Sequence, residues 1–395
     1  MPKCSLNNLS LYKRDNMKIG ILSMQRIVNN GSFLQAYALK ETLKMLSGYE
    51  PEFIDFENAL QNKKNKEKEQ PFLLQFLRDV KHLIFPQYWP YSRTKRNGKL
   101  FAEKWAECLP ALGLKRELND FQREQYTLIV IGSDEVFNLC QFSDENVDIP
   151  WCLLGEGLNT KHLISYAASC GQTSVDGLRA IGEEQHCRDL LSKFDAISVR
   201  DENTFHVVRS LSGRTPRYNI DPVLLVSEFP KDESYRKLPY NYILVYAYTR
   251  RINTEDEIKA IQSYARENGL KTIGVNCFQT WCDQSIACSP FALLQYVRDA
   301  NCVVTDTFHG TVFSIRENVP FATLVRKSNS NKIRFLLHQF GLDNREADSP
   351  DQIKNVLDRP IDFTAVNFRL EEERENARSY LLEQIHNAEG KHRGA

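Results

Sequence analysis

Short apolar runs alternate along the chain with longer segments whose apolar positions recur every three or four residues. Runs with the length and composition of buried strands lie, in the first half, at 18–23, 52–56, 127–132, 162–168 and 196–199. After a turn at 28–32, residues 33–46 have the spacing of an amphipathic helix, and Gly48 fits its C-terminal stop. The first half of the chain therefore predicts strands connected by helices.

A second alternation follows a polar and charged break at 230–239, which is typical of a linker. Strands are predicted here at 242–246, 271–275, 302–304 and 321–325. Helices are predicted at 254–268, at 290–300 and directly after His309. Strands that alternate with helices build parallel sheets covered on both faces. Two such sets joined by one linker predict an α/β fold with two Rossmann-like domains that face a cleft.

These patterns divide the chain into four parts. We expect a loose N-terminal tail (1–16), an N-terminal Rossmann-like domain (17–235), a C-terminal Rossmann-like domain with the His309 motif (236–345) and C-terminal helices (346–395), including a long charged helix at about 364–389. The first domain carries a helical insertion at about 58–110, where apolar residues follow helical spacing after a charge run. An aromatic and basic stretch at 88–96 leaves open a surface that faces a membrane or an acceptor.

The 395 residues carry 51 basic and 51 acidic side chains, so the formal net charge is zero. That balance argues against a general electrostatic grip on nucleic acid. No apolar run approaches the roughly 20 residues that span a bilayer, and the first residues lack the apolar core of a secretory signal. We therefore expect a cytoplasmic protein, with peripheral contact at the inner face of the membrane left open.

The ten cysteines are scattered, and several lie in apolar runs, as buried free thiols do in a reducing compartment. Cys277, Cys282 and Cys288 cluster, but neither a CxxC pair nor a flanking histidine accompanies them. We predict no metal site from these residues.

The most informative segment is 302–315, where an apolar strand gives way to polar residues and a helix begins. His309 lies at this point, beside Gly310, which lets a ligand approach the backbone. The N–H groups and the positive dipole end of a helix start favour a bound anion. An imidazole that titrates near neutral pH suits an acid for chemistry in which phosphate leaves. The alternative is an ordinary loop or core histidine.

Polar clusters also follow four other predicted strands, and ligands of open α/β sheets bind beyond the carboxyl ends of strands. The clusters contain Asn30, Gly31 and Ser32 after the first strand, Ser133 and Asp134 after 127–132, Ser169 after 162–168, and Arg200 after 196–199. Arg200 has the geometry to bind a carboxylate or phosphate through two parallel hydrogen bonds. Taken singly, each cluster also fits a turn, a helix cap or a surface ion pair. Together they predict one shared ligand cleft.

Common catalytic motifs are missing, while six other segments form a distinctive series. The chain has no GxxxxGK[ST], no GxGxxG after the first strand, no GxSxG and no HExxH. The series is NNGSFLQAYA (29–38), GSDEVFN (132–138), SYAAS (165–169), ISVRD (197–201), DPVLL (221–225) and TDTFHGTVFSI (305–315). In content and order it resembles the motifs of the polysaccharide pyruvyl transferases over roughly residues 17–345. The resemblance implies a GT-B-like fold, in agreement with the two Rossmann-like domains.

The resemblance implies transfer of pyruvate from phosphoenolpyruvate to a sugar, as a cyclic ketal, in capsule or exopolysaccharide biosynthesis by a bacterial enzyme. The acceptor would be a sugar of the polysaccharide or of its lipid-linked precursor, and no cofactor is implied beyond phosphoenolpyruvate as the donor substrate. His309 matches the family's catalytic or substrate-binding histidine, and we assign it the role of acid. The substrate-binding residues that we expect are Arg200, Asn30, Gly31, Ser32, Ser133, Ser169, Gly310, Thr311, Arg326 and Lys332.

One departure from the family concerns charge. Some members carry an arginine two residues before the histidine, where this chain has Thr307 in a form associated with a bacterial branch. Arg326 or Lys332 is expected to supply the missing positive charge. Asp134 and Asp306 are catalytic candidates, either for activating a sugar hydroxyl or for orienting His309, and helix capping is the alternative for each.

Two other functions stay open on the sequence. A GT-B-type glycosyltransferase would share the fold, use a nucleotide sugar and carry a ribose-binding carboxylate in its second domain. A non-catalytic phosphosugar-binding protein would keep the cleft without the chemistry, and the missing arginine at Thr307 is the feature in its favour.

Overall fold

The computed structural model of the protein describes residues 17–56, 89–118, 125–144, 146–248, 251–276 and 278–393. The predicted tail at 1–16 and the part of the predicted insertion before residue 89 lie outside the described residues, as do the side chains of the aromatic and basic stretch up to residue 93.

The first domain is built on six parallel strands. They are β1 (Ile19–Leu22), β2 (Glu52–Phe53), β3 (Leu128–Asp134), β4 (Leu163–Ala168), β5 (Ser198–Val199) and β6 (Arg217–Tyr218). Their order in the sheet is β2-β1-β3-β4-β5-β6, and the register pairs Ile21 with Val130 and Val130 with Ile164. All residues of β1 and β4 are buried, as expected for parallel strands covered on both faces.

The second domain repeats this plan with six further parallel strands. They are β7 (Tyr242–Tyr246), β8 (Lys271–Val275), β9 (Gln284–Ile286), β10 (Cys302–Thr305), β11 (Phe321–Leu324) and β12 (Glu346–Ala347). Their order is β12-β11-β10-β7-β8-β9. The last strand adds residues beyond 345, so this sheet extends past the boundary that the sequence suggested. Two parallel sheets of this kind confirm the predicted pair of Rossmann-like α/β domains.

Helices connect the strands and cover the sheets. Those of the first domain are α1 (Asn30–Ser47), α2 (Trp89–Glu107), α3 (Cys140–Asp144), α4 (Val175–Ala180), α5 (Glu184–Ser192) and α6 (Glu202–Ser212). Those that follow are α7 (Glu255–Glu267), α8 (Pro290–Arg298), α9 (Phe308–Arg316), α10 (Ser330–Phe340), α11 (Gln352–Asp358) and α12 (Phe363–Arg393). No helix in the described part of the chain is long and apolar enough to span a bilayer.

The first helix begins earlier than its apolar periodicity predicted. The side chain of Asn29 accepts hydrogen bonds from the backbone N–H groups of Gly31 and Ser32, which caps α1 at its start. Residues assigned to a turn therefore form the first turn of the helix. The other end is as expected, because Gly48 adopts a left-handed φ of 75° directly after the helix.

In each sheet the chain reverses direction next to the first strand. It runs from β1 to β2 on one side and then to β3 on the other, and from β7 to β8 and β9 before it returns to β10. Such a reversal opens a crevice at the carboxyl ends of the strands, where α/β proteins bind ligands. The two crevices face each other: the Asn30 amide of one domain donates to the Tyr246 hydroxyl of the other at 3.2 Å.

The C-terminal helix joins the two domains. From the second domain, α12 returns to the first, where the Tyr380 hydroxyl donates to the Ser165 carbonyl at 2.8 Å and Arg374 Nε donates to the Leu224 carbonyl at 2.6 Å. The domains also share apolar packing, since the rings of Phe33 and Phe291 lie edge to face with centroids 5.4 Å apart. These contacts hold the two domains together around the cleft.

Candidate active site

Two helix starts meet across the cleft. The first turn of α1 contains Gly31, and the first turn of α9 contains His309. A Cβ atom at position 31 would lie 2.1 Å from Nδ1 of His309, so the absence of a side chain there is what admits the imidazole. The positive dipole ends of both helices therefore converge on the histidine, an arrangement that favours a bound anion.

Asp221 is the carboxylate beside His309. Its Oδ2 lies 3.5 Å from Nε2 of the imidazole, which is longer than a good hydrogen bond, and Nε2 has no hydrogen-bond partner among the described residues. The orienting role expected of Asp134 or Asp306 therefore does not match the contacts. Burial works against ionisation of Asp221, yet His309 and Arg200 hold its pKa below the ordinary value.

Arg200 bridges two carboxylates beneath the histidine. Its Nη1 donates to Asp221 at 2.8 Å and its Nη2 donates to Asp134 at 3.0 Å, while the guanidinium carbon lies 4.4 Å from the centre of the Phe308 ring. The side chain is 1% exposed, and Nε has no partner among the described residues. The terminal nitrogens that were expected to hold a substrate anion thus hold carboxylates of the protein in this structure.

Asp134 is held between a hydroxyl and this guanidinium. As the last residue of β3 it has a φ of 71°, a left-handed conformation that costs an aspartate free energy and turns its carboxylate toward the cleft. The Ser32 hydroxyl donates to Oδ2 at 2.6 Å. Burial opposes the charge of Asp134, but Arg200, His309 and the Ser32 hydroxyl together hold its pKa below the ordinary value.

Of the two cations expected to replace the missing arginine, Lys332 lies nearer to these groups. Its Nζ donates to Glu135 and is 5.9 Å from the centre of the Phe308 ring. Burial disfavours both charges of the pair, but each partner stabilises the other, so the pKa of Glu135 lies below and that of Lys332 above its ordinary value. Lysine has three N–H donors, so Nζ keeps capacity for a substrate oxygen.

Arg326, the other expected cation, is paired with two carboxylates of the second domain. It pairs with Glu257 at 2.6 Å and donates from Nε to Oδ2 of Asp306 at 3.1 Å. The other carboxylate oxygen of Asp306 is buried without a hydrogen-bond partner among the described residues. Burial raises the pKa of Asp306 against the opposing effect of Arg326 and Arg251. These contacts place Asp306 behind the start of α9.

Several residues that were expected to bind substrate instead make hydrogen bonds or close contacts within the protein. The hydroxyl of Ser169 donates to Asp201 at 2.6 Å, and that of Thr311 donates to the Thr307 carbonyl at 3.1 Å. Ser133 is fully buried, and its backbone N–H donates to Gln35 at 3.1 Å. A Cβ atom on Gly310 would lie 2.0 Å from Thr305 Oγ1, so this glycine permits close packing of the α9 start. The hydrogen bonds of Ser169, Ser133 and Thr311 therefore stabilise the segments that follow the strands.

A cavity of about 260 Å³ is lined by Asn30 at the start of α1 and by Thr307 directly before α9. The Asn30 amide accepts a hydrogen bond from Nδ2 of Asn276 at 3.2 Å and donates to the Tyr246 hydroxyl. Asn29 donates to the Tyr248 hydroxyl at 3.4 Å, which closes the same wall. The cavity thus lies between the α1 start and the carboxyl ends of β7 and β8.

Three residues of this site were not singled out on the sequence: Tyr246, Tyr248 and Asn276. Each lies at or just after the end of a strand, so the strand-end rule that identified the other clusters also points to them. Asp221 begins the DPVLL motif, but its role beside His309 was not predicted, because β6 has only two residues and lacks an apolar run, and Asp-Pro resembles a turn. Among the described residues, no group of three or more His, Cys, Asp or Glu side chains is placed to hold a metal ion.

Comparison with known proteins gives one family. A family model described as polysaccharide pyruvyl transferase matches residues 29–328. The curated proteins give no match to this chain.

Solved structures show distant likenesses over nearly the whole chain. The S. aureus MnaA–UDP co-structure has a TM-score of 0.45 and 11% identity, covering 90% of this chain and 91% of that chain. A putative UDP-N-acetylglucosamine 2-epimerase from Listeria monocytogenes has a TM-score of 0.42 and 12% identity, with coverage of 89% and 94%. A UDP-glucosyltransferase from Polygonum tinctorium, in complex with 3,4-dichloroaniline, has a TM-score of 0.41 and 10% identity, with coverage of 96% and 100%. The assignment of two Rossmann-like domains rests on the two sheets themselves.

Proposed function

Because this chain belongs to the polysaccharide pyruvyl transferase family, we propose that it transfers the pyruvyl group of phosphoenolpyruvate to two hydroxyls of a sugar, forming a cyclic ketal. The acceptor is a sugar of a bacterial capsule or exopolysaccharide, or of its lipid-linked precursor, and the reaction takes place in the cytoplasm or at the inner face of the membrane. The observation that carries the proposal is the environment of His309: an unpartnered imidazole nitrogen beside Asp221, where two helix starts converge.

The chemistry needs a proton donor, an anion site and a place for a sugar. The methylene carbon of phosphoenolpyruvate gains a proton, and the adjacent carbon becomes electrophilic. One sugar hydroxyl attacks that carbon, the carbon–oxygen bond to phosphate breaks, and a second hydroxyl closes the ring. Of the two hydroxyl protons, one balances the proton given to the methylene group and the other leaves with phosphate.

We assign the first proton to Nε2 of His309. This nitrogen has no hydrogen-bond partner among the described residues, so substrate does not have to displace one. Donation requires the protonated ring, and the buried carboxylate of Asp221 lies 3.5 Å from this nitrogen. Because His309 is only 7% exposed, the proposal requires phosphoenolpyruvate to enter while the domains are apart and the cleft to close around it.

The anion of the substrate is assigned to the helix starts, Lys332 and Arg200. The N–H groups at the starts of α1 and α9 favour a phosphate or carboxylate. Lys332 is bound to Glu135 through one of its three donors, so it is able to take a substrate oxygen without losing its partner. The terminal nitrogens of Arg200 are occupied, so a substrate anion reaches them only by replacing Asp134 or Asp221. This makes Lys332 the better primary contact.

Asp134 suits orientation of a sugar hydroxyl better than removal of its proton. A carboxylate whose pKa is held below the ordinary value is a weak base, because its neighbours stabilise the charged form. It remains a good hydrogen-bond acceptor, as its 2.6 Å bond from Ser32 illustrates. In the proposal Asp134 and Ser32 hold the attacking hydroxyl while phosphate takes up its proton.

The test is phosphate release from phosphoenolpyruvate in the presence of galactosides, mannosides and N-acetylhexosaminides, free and lipid-linked, with mass analysis of the products. We expect acceptor-dependent release and a product heavier by one pyruvyl ketal. His309→Ala should abolish both, while His338→Ala, at a site where the side chain is 84% exposed, should change neither. If no acceptor supports release and phosphoenolpyruvate gives no protection against heating, the proposal is wrong.

A further inference from the structure

The segment that follows β6 connects the two domains and runs past α9. It begins at Asp221, and we call residues 221–227 the strap. The 3-10 turn Pro222–Leu224 within the strap packs against both α1 and α9. At the start of the strap, Asp221 lies 3.5 Å from Nε2 of His309 and accepts a hydrogen bond from Arg200 at 2.8 Å. The connection between the domains therefore carries a carboxylate of the candidate site.

Arg316 holds the strap at its far end. It is the last residue of α9, and its Nη2 donates to the carbonyls of Val226 at 3.2 Å and Ser227 at 3.0 Å. The guanidinium carbon also lies 4.8 Å from the centre of the Phe229 ring, which follows the strap. His309 and Arg316 lie near opposite ends of the same helix, so the strap meets α9 at both ends.

The charge of Glu317 does not account for an arginine at this position. Nη1 of Arg316 donates to Glu317 at 2.7 Å, but Arg298 makes an ion pair with the same carboxylate, also at 2.7 Å. The Arg316 side chain is 5% exposed and its Nε has no partner among the described residues, so burial of this guanidinium costs free energy. The planar fork of arginine reaches two carbonyls and a carboxylate at once, whereas lysine has all its donors on one atom.

We propose that Arg316 is a positioning residue for the reaction: it fixes the end of the strap to α9 and thereby holds Asp221 against His309 at the other end of that helix. The inference rests on the proposed function, because it assigns to Arg316 an effect on the proton donor of that reaction. Arg316 acts from the opposite end of α9 and has no part in binding substrate.

The position of the strap matters because its first half is held from the first domain. Arg200 holds Asp221, and Arg374 of α12 holds the Leu224 carbonyl at 2.6 Å. Arg316 fastens the second half to the helix that carries His309. Without this contact the strap is free to shift along α9, and the distance from carboxylate to imidazole varies with it. Proton transfer is sensitive to displacements of about 1 Å, so the chemical step should suffer more than binding of phosphoenolpyruvate.

The experiment compares Arg316→Met and Arg316→Lys with Arg298→Met in the full chain, by phosphate release from phosphoenolpyruvate with an acceptor that the wild type uses. Both Arg316 variants should lower kcat at least about tenfold and change KM for phosphoenolpyruvate less than about threefold. The lysine variant keeps a cation beside Glu317, so it guards against a general loss of the fold.

Arg298→Met is the matched control. It removes the other cation beside Glu317, from a side chain that is 51% exposed, and should change kcat less than about twofold. Recovery of wild-type kcat in Arg316→Lys would show that charge rather than the fork of donors matters, and it would overturn the assignment. An equal loss of kcat in Arg298→Met would overturn it as well.

A double-mutant cycle distinguishes positioning from general support of the fold. Asp221→Asn keeps an oxygen that accepts from the Val223 N–H but removes the charge beside His309. If Arg316 acts through Asp221, Arg316→Lys should lower kcat less than about twofold in the Asp221→Asn background, against about tenfold or more in the wild type. An equal loss in the two backgrounds would contradict the inference.

Hydrogen exchange of the strap separates this inference from the proposed function. Within the turn, the N–H of Leu224 donates to the Asp221 carbonyl at 2.9 Å. This amide should exchange at least about fivefold faster in Arg316→Lys than in the wild type, and no faster in Arg298→Met. Unchanged exchange would overturn the inference even in an active enzyme. If exchange changes as expected while the wild type releases no phosphate with any acceptor, the hold on the strap stands and it is the proposed function that fails.

Discussion

The contact between Gly31 and His309 makes a prediction that does not require the reaction to be known. In Gly31→Ala the new Cβ atom would lie 2.1 Å from Nδ1, 2.2 Å from Cγ and 2.6 Å from Cε1 of the imidazole. Ordinary contact begins at 3.4 Å, so the two helix starts must separate by about 1.3 Å. Overpacking of this kind typically costs about 1–3 kcal/mol.

The assay is the free energy of unfolding in urea for a double-mutant cycle. Gly31→Ala should cost about 1–3 kcal/mol in the wild type but less than about 0.5 kcal/mol in His309→Ala, where the ring is gone. Gly390→Ala is the matched control, since nothing lies within 4 Å of a Cβ atom there. An equal cost of Gly31→Ala in both backgrounds would refute the contact and, with it, the closed cleft.

The same change bears on activity. A displacement of about 1 Å at a reacting group is able to lower a rate by roughly 100-fold, so Gly31→Ala should lose about that factor in kcat/KM while Gly390→Ala loses none. Retention of full activity by Gly31→Ala would mean that the position of His309 against α1 does not matter for the reaction.

Three further outcomes test the neighbouring charges. Lys332→Met should raise KM for phosphoenolpyruvate roughly 10- to 100-fold, which corresponds to the loss of one charge-assisted hydrogen bond. Lys327 is exposed, so Lys327→Met should leave KM unchanged. Equal effects of the two substitutions would show that Lys332 does not bind the substrate anion. Asp221→Asn removes the negative charge that lies 3.5 Å from Nε2 of His309, so it should lower kcat at least about tenfold; an unchanged kcat would contradict the role of Asp221 beside the proton donor. Because the pKa of Asp134 is lowered in the folded protein, its charge stabilises the fold above the unfolded pKa of about 4, and this stabilisation is lost as the pH falls below that value. The free energy of unfolding in urea should therefore fall less between pH 7 and pH 3 for Asp134→Asn than for the wild type. An equal fall for the two proteins would contradict this.

The fold was predictable because each part of it has a local sequence signal. Strand runs such as Ile19–Leu22 and Cys302–Thr305 are short and apolar, and the helices after them show their period and their caps. Parallel order follows from strand–helix alternation alone. The start of α1 was misplaced because apolar periodicity begins at Phe33, whereas the helix is set by the cap at Asn29.

The sequence predicted that these candidate residues share one cleft, but it did not predict which side chains pair. Because ligands of open α/β sheets bind at strand ends, the sequence predicted that His309, Gly31 and Asp134 lie in one cleft. Which carboxylate meets which cation depends on side chains 66 residues apart in the case of Arg200 and Asp134, and 197 apart for Lys332 and Glu135. No local pattern records such distances, so Arg200 was expected to face substrate and instead bridges two aspartates.

The cavity beside Asn30 results from the placement of the two domains. Its walls are supplied by α1, by α2 and by the ends of β7 and β8, elements that meet only when the two domains close on each other. This cavity was therefore beyond sequence reasoning.

The most direct test of the central claim follows the bridging oxygen of phosphoenolpyruvate. The claim is that the pyruvyl carbon is transferred, so the bond between that carbon and the bridging oxygen must break. With ¹⁸O in the bridge and a productive acceptor, the account predicts that the label leaves with phosphate and that the ketal product contains none. Label retained in pyruvate would show cleavage at phosphorus instead, and it would contradict pyruvyl transfer at His309.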